Sequence, residues 1–252
     1  MSNILLTPGL VLWEMPLRET DKLLTVLTPQ MGKLSVRARG ARRKNSRLAA
    51  ATQLLVYSDF KLFSYKDHYT LNEASSLTQF WHIKSDFLLL SLASYFAELT
   101  SVFADADAPN AQLLSLLLNT LYGLDTLKKP PSLVKAAFEL RLLALSGYAP
   151  DLSACSVCGS TQPEAPMLHL TEGLLHCRTC LIPTPYSSHS APLCQDSLNA
   201  MRYILEADPK RFLAFSLDGT PLERLGKATE AFASTQLDRT LPTLSYYHQI
   251  IE

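Results

Sequence analysis

Four cysteines carry the plainest chemistry in this sequence. Cys155-Ser-Val-Cys158 and Cys177-Arg-Thr-Cys180 are two CxxC units with 18 residues between them. Thiolates at this spacing can surround one structural Zn2+ tetrahedrally, which leaves no open position for a substrate. Gly159 after the second cysteine permits a tight turn that brings backbone N–H groups to the sulfurs. Redox-active pairs are the competing reading. Two pairs together, with no βαβ pattern around them, disfavour it. Cys194, at a helix start after Pro192-Leu193, reads as a small buried residue. His169 and His176 flank the cluster, and four thiolates do not need them as ligands.

The second grouping is cationic. Lys33 to Arg47 holds Lys33, Arg37, Arg39, Arg42, Arg43, Lys44 and Arg47, seven basic side chains in fifteen residues, and no acid. After Asp21 the next carboxylate is Asp59. The whole chain is neutral, with 23 basic and 23 acidic residues, so the run does not echo global composition. Residues 1–80 carry net +5 and residues 81–252 net −5. A solvated loop is the bland reading. Segregation of charge favours a dedicated face for a polyanion, nucleic acid first, because Arg and Lys neutralise phosphates and release counterions.

These groups need elements to hold them. Up to residue 80 the pattern is of short strands: Leu10–Trp13 after a Pro8-Gly9 turn, Leu23–Thr28, Lys33–Arg39, Gln53–Tyr65 and Tyr69–Ala74. In the third, Leu34, Val36 and Ala38 point one way and Lys33, Arg37 and Arg39 the other. Gly40 ends it, and Arg42, Arg43, Lys44 and Arg47 follow on a loop or short helix. Five such strands predict a small closed barrel, and the OB-fold pairs a basic groove with aromatic platforms. Tyr57, Phe63 and Tyr65 are candidate platforms; packing against a neighbouring domain is the alternative.

From residue 81 the period becomes helical. Ser85 reads as an N-cap for a strongly apolar helix, Phe87–Phe103, at the centre of a bundle. Further helices are expected at 111–124, 133–145 with Gly147 as its stop, 195–206, 221–237 and 244–251. Glu139 and Arg141 read as helix-surface charges, and Arg202, Lys210 and Arg211 as a dispersed basic group. Between the CxxC units, Met167–Leu170 and Leu174–His176 form a hairpin around Thr171-Glu172-Gly173, and Pro183 to Pro192 reads as a loop. The expected fold is α+β and multidomain: a small β-barrel (OB-fold) over 1–80, then an α-helical domain over 81–252 with a four-cysteine zinc finger inserted at 153–182. Met1-Ser2-Asn3 shows no positively charged leader and no apolar run is long and uncharged enough to span a bilayer, so a cytoplasmic protein is expected.

The layout resembles bacterial RecO, a recombination-mediator and DNA repair family. Asp21-Lys22, Leu27-Thr28, Gly32-Lys33, Gly40-Ala41-Arg42-Arg43 and Ser46-Arg47 are similar to its N-terminal pattern. Phe138-Glu139-Leu140-Arg141-Leu142-Leu143, Gly147-Tyr148-Ala149-Pro150, Cys155 and Cys158-Gly159 are similar to its central one. The resemblance weakens after Tyr186. It implies binding of single- and double-stranded DNA, annealing of complementary strands, and assistance to RecA loading. The implied partners are RecR and the C-terminal tail of single-stranded-DNA-binding protein, with association to the nucleoid during repair. It implies no enzymatic activity, and no P-loop, carboxylate cluster or triad-like grouping is legible in the residues. Family members without the four cysteines make zinc a structural option. An RNA-binding OB-fold/zinc module is the rival reading, and a protein-binding scaffold a third.

Overall fold

The structure, a computed structural model, describes residues 3–66, 68–106, 108–181, 189–237 and 239–251. Ile182 of the expected finger and residues 183–188 of the expected loop lie outside them. Two compact units divide the chain: Met1–Thr126 with Leu241–Glu252, and Leu127–Thr240. The division expected at residue 80 therefore does not coincide with the compact units, because helices after that point pack with the barrel.

The first unit is built on β1 (Asn3–Leu17), β2 (Asp21–Thr28), β3 (Gly32–Ala38), β4 (Val56–Tyr65) and β5 (His68–Gln79). They close into a barrel in the order β1-β2-β3-β5-β4, an OB-like arrangement. Neighbours are antiparallel except β3 and β5, which run parallel through Val36↔Tyr69 and Arg37↔Thr70. Strand alternation decides what is inside. Leu34, Val36 and Ala38 of β3 meet Val26 of β2 and Phe60 and Leu62 of β4 in the core.

β1 is longer than the short strand expected. Residues 3–10 pair with β4 and residues 10–17 with β2, with a register shift between Val11 and Trp13. The Pro8-Gly9 pair is thus a bend inside one strand rather than a turn before it. A Cβ on Gly9 would lie 2.6 Å from Val26 Cγ1, so this corner of the barrel needs a residue without one.

The β2–β3 hairpin is held from below. Gly32 has φ +62°, and a Cβ there would sit 2.4 Å from the Asp105 carbonyl oxygen and 2.5 Å from that of Ala108. The close approach lets Lys33 N–H donate to Asp105 O at 3.0 Å and Asn110 N–H donate to Pro29 O at 3.1 Å. The loop entered at Ala104 is in this way part of the barrel's foundation.

The helices are α1 (Trp81–Ser85), α2 (Phe87–Phe103), α3 (Ala111–Asp125), α4 (Pro131–Leu145), α5 (Gln195–Glu206), α6 (Gly219–Leu237) and α7 (Pro242–Ile251). Among the described residues none is long and apolar enough to cross a membrane. Asp86, not Ser85, caps α2: its carboxylate accepts from Leu89 N–H at 3.1 Å, while Ser85 ends α1. α2 packs on α1, α3, α7 and β1. Its Glu98 carboxylate accepts from the Thr243 N–H, at 3.1 Å, and the Thr243 hydroxyl, filling donors at the start of α7 that no helical carbonyl reaches.

In the second unit α4 lies against α5 and α6 and is buried on nearly every side. Glu139 and Arg141 are accordingly not surface charges. Glu139 is fully buried, accepting from Lys135 Nζ at 2.7 Å and the Thr229 hydroxyl at 2.8 Å, and Lys135 also donates to Glu230 at 2.6 Å. Burial alone would lower the Lys135 pKa; the two carboxylates outweigh it and raise it. Arg141 donates to the carbonyls of Ile204 and Leu205 in the last turn of α5, where unpaired carbonyls attract a cation. Helical periodicity could not show this, because it reveals one apolar stripe and not how many neighbours a helix has. Gly147, φ +91°, ends α4 as expected, with Tyr148 N–H reaching back to Leu143 O at 2.9 Å. A small sheet, β6 (Pro166–His169), β7 (Leu175–Cys177) and β8 (Ser190–Pro192), is ordered β7-β6-β8 and contains the expected hairpin.

Gly32→Ala combines backbone strain with a backbone clash, and is expected to destabilise the protein by about 2–4 kcal/mol. Urea melts of the two proteins measure the difference; a loss below ~1 kcal/mol would show that the hairpin turn relaxes freely.

Candidate nucleic-acid interface and metal centre

The seven cations do not form one face. Three are engaged within the protein. Lys33 Nζ donates to Ser101 O at the end of α2, at 2.6 Å. Arg37 donates from Nε and Nη2 to Asp21 Oδ2, at 3.1 and 2.7 Å. Arg42 donates to the carbonyls of Arg18 and Glu19, at 3.0 and 3.2 Å, and so secures the β1–β2 turn. Arg39, Arg43, Lys44 and Arg47 are exposed, and their side chains make no hydrogen bond or ion pair among the described residues.

Asp21 sorts the two groups. Its Oδ1 accepts from Gly40 N–H at 2.9 Å while Oδ2 holds Arg37. The Gly40 N–H and the Arg37 guanidinium keep this carboxyl down at about 2. The last acid before the acid-free run therefore anchors its start. Beyond it residues 39–55 proceed as a chain of turns, not a helix, and are pinned down: Ala41 and Leu48 pack on the barrel core, and Leu55 N–H donates to Val11 O at 2.9 Å.

Two of the exposed cations, Arg39 and Arg47, border two adjoining concavities on the β1–β4–β5 side of the barrel. One is lined by Arg39, Lys61, Phe63, Tyr65, His68 and Asn72, among others. The other includes Arg47, Lys61 and Asn72 with two acids, Asp59 and Glu73. Phe63 and Tyr65 are 45% and 50% exposed, whereas Tyr57 is half-buried. The sequence reading found the aromatics by strand parity. The same parity put Lys61 beside them; His68 and Asn72, whose only signal was their strand register, were not singled out.

The four cysteines do converge. Their sulfurs all lie within 4.8 Å of one another, and Cys158 and Cys177 Sγ are 3.6 Å apart. Tetrahedral bonds of ~2.3 Å place sulfurs about 3.8 Å apart, so the group fits one metal ion with Cys155, Cys158, Cys177 and Cys180 as ligands. Gly159 has φ +71° and its N–H donates to Cys155 O at 2.9 Å. Cys177 N–H points at Cys155 Sγ, at 3.3 Å. Burial works against ionising Cys155, but backbone N–H groups of Cys158, Cys177 and Val157 outweigh it and lower the thiol to about 6. Cys177, desolvated and beside the other sulfurs, is pushed up to about 12. His169 and His176 stand outside the group: His169 Nδ1 accepts from Glu172 N–H at 3.2 Å, and His176 contacts the Ser156 hydroxyl at 3.1 Å. Cys194 is half-buried at the start of α5, its Sγ 3.0 Å from Ser197 Oγ.

Arg202, expected among dispersed surface cations, instead grips the first cysteine loop. Its Nε donates to Leu152 O at 2.8 Å, and Nη2 donates to Ser153 O and Thr161 O at 3.2 and 2.8 Å. Gln236 of α6 likewise donates to Leu170 O and Thr171 O in the hairpin turn. No local spacing signals either contact. Lys210 and Arg211 are exposed.

Comparison with known proteins matches the chain in two parts, whose boundary near residue 80 is not that of the compact units. Residues 1–80 match the family described as "Recombination protein O N terminal", and residues 84–245 the one described as "Recombination protein O C terminal". This chain belongs to the RecO family. A DNA repair protein RecO from Acetivibrio thermocellus is 32% identical over 244 residues, 97% of this chain and 96% of the relative. One from Alkaliphilus metalliredigens is 31% identical, covering 92% and 94%. One from Symbiobacterium thermophilum is 29% identical, covering 94% of each. The stretches that resembled RecO in sequence prove to be largely joints: Asp21, Gly32 and Gly40 in the barrel, Glu139, Arg141 and Gly147 around α4.

Two outcomes follow from this geometry. Asp21 titrates lower folded than at its ordinary 3.8, so its stabilising contribution is complete above that value and lost as pH falls toward 2. The stability gap between wild type and Asp21→Asn should be constant above about pH 5 and close between about pH 4 and 2. A gap independent of pH in acid urea melts sinks the assignment. Arg202→Ala should lower the affinity of the cysteine group for a thiophilic metal, with added Zn2+ as the probe, by about 10–100-fold in chelator competition, with helix content retained by circular dichroism.

Proposed function

We propose that this RecO-family protein binds single- and double-stranded DNA through the barrel, anneals complementary strands and assists RecA loading together with RecR. The observation that carries the reading is the set of unengaged cations, Arg39, Arg43, Lys44 and Arg47, on the turn segment of an OB-like barrel. Annealing brings two polyanions together. Cations on a firm scaffold screen that repulsion while leaving base edges free to pair. Family membership supports the repair context and the partners, which include the tail of single-stranded-DNA-binding protein. In this reading the protein acts by binding and not by catalysis, in the cytoplasm at the nucleoid.

Zinc is the metal we assign to the four cysteines, from an all-thiolate donor set with tetrahedral spacing. Its role would be structural: it holds the two loops and the β6–β7 hairpin together and contributes folding energy.

Binding should be sequence-independent and salt-sensitive. If about five phosphates are neutralised, log K falls with log salt at a slope near −3.5 on a single strand. Changing Arg39, Arg43, Lys44 and Arg47 together to Ala should flatten that slope by about 3, with the melting temperature preserved. An unchanged slope refutes the cation assignment. Competition between matched DNA and RNA oligonucleotides tests the RNA-binding alternative, which predicts preference through the 2′-hydroxyl. Annealing of strands pre-coated with single-stranded-DNA-binding protein tests the mediator role.

A further inference from the structure

Resting on the DNA-binding reading above, we propose that the β1–β4–β5 face of the barrel is a single-strand-specific platform, on which Phe63 and Tyr65 stack unpaired bases while Arg39 and Lys61 hold the backbone.

Charge on the opposite face is already used. On β2 and β3, Lys22 pairs with Glu14, Lys33 with the Ser101 carbonyl and Arg37 with Asp21. That surface offers few unpaired donors to an incoming phosphate. On the β1–β4–β5 face Lys61 pairs with Glu73 at 3.1 Å, an exposed and therefore weak pair that a phosphate can replace, while the Arg39 side chain makes no pair among the described residues. Register places Ile4 directly opposite Phe63, and Phe63 opposite Thr70, in one cross-strand row. Leu6, Lys61 and Glu73 form the next row, and Tyr65 pairs with His68 beyond the first. Ile4 is 66% and Leu6 72% exposed, so the face keeps an apolar floor that folding has not covered. Arg39 closes one side of the same concavity, which also has Lys61 and His68 and, among the described residues, no acid in its lining.

Apolar floor, open π faces and cations in one groove fit a strand whose bases are turned toward the protein. Phe63 and Tyr65 lie two residues apart on β4, so their rings project about 6.8 Å apart along it. Stacked bases repeat at ~3.4 Å, so the rings match a strand pulled out of its stack and not a base-paired one. Lys66 Nζ lies 5.5 Å from the centre of the Tyr65 ring, a cation–π contact that orients that ring. Tyr57, half-buried further along β4, takes no part. The second concavity, which holds Arg47 together with Asp59 and Glu73, adjoins the first at Lys61 and Asn72.

The test uses the full-length protein with labelled oligo(dT) and a matched duplex, by fluorescence anisotropy across salt. Phe63→Leu with Tyr65→Leu keeps apolar bulk and removes the π faces. It should weaken oligo(dT) binding at least about fivefold per ring, leave duplex binding unchanged, and leave the salt slope unchanged. Phe63→Tyr with Tyr65→Phe should bind as wild type, and a 5-iododeoxyuridine oligonucleotide should photo-crosslink to the β4 peptide. Wild-type oligo(dT) affinity in the leucine pair, or equal loss on strand and duplex, overturns the platform while leaving DNA binding in place. So does a leucine pair that binds the strand normally but loses an acidic apolar peptide, since the face would then belong to the peptide. Wild-type protein that binds neither DNA overturns the reading underneath.

Discussion

Closure of the barrel is the constraint from which the rest follows. β5 lies between β3 and β4, so the chain cannot pass from β3 to β4 by a hairpin. It must cross, and residues 39–55 are that crossing. A connection that crosses a barrel end has few partners for its backbone and stays at the surface. It also has to be fastened, and the fastenings are specific: Asp21 to Gly40, Arg42 N–H to Thr20 O, and Leu55 N–H to Val11 O. The cationic residues from Arg39 to Arg47 thus ride on a segment whose route is dictated by strand order, and it brings Arg39 and Arg47 beside the exposed side of β4 and β5.

A cation's role here depends on its partner and not on its position in the run. Lys33, Arg37 and Arg39 are all cationic and sit on the same side of one strand pattern, yet the first two complete hydrogen-bonding demands of the fold. The same holds in the second unit. Arg141 fills carbonyls at the end of α5, Arg202 fills carbonyls around the first cysteine loop, and Lys135 neutralises Glu139 in the interior. Removing one partner of such a set strands a polar group in a dry place, which costs more than the contact itself contributed. The stretches that resemble the family fall heavily on these joints.

The thiol cluster illustrates local and distant control of one site. Each CxxC loop and the hairpin between them are products of nearby residues, with Gly159 and Gly173 taking positive φ at the turns. Bringing the two loops to within sulfur contact also needs α5 and α6, through Arg202 and Gln236. A metal at this site would therefore stabilise not a free-standing finger but one sewn to its helical unit.

Alternation along β3 and β4, the stop signal of α4, the hairpin between the cysteines and the four thiols themselves were legible because each depends on residues within a turn or two of one another. The five strands, and the inward faces of β3 and β4, followed from the same periodicity. Tertiary structure alone decided that Pro8-Gly9 lies inside a strand instead of forming a turn before it, that α1, α2, α3 and α7 share a compact unit with the barrel, and that Glu139 is interior. It also decided which of seven cations are spent on Asp21, Ser101 and the β1–β2 turn and which remain available. The reason is physical: periodicity encodes which side of an element is apolar, whereas burial, charge pairing and groove formation depend on which distant element arrives at that side.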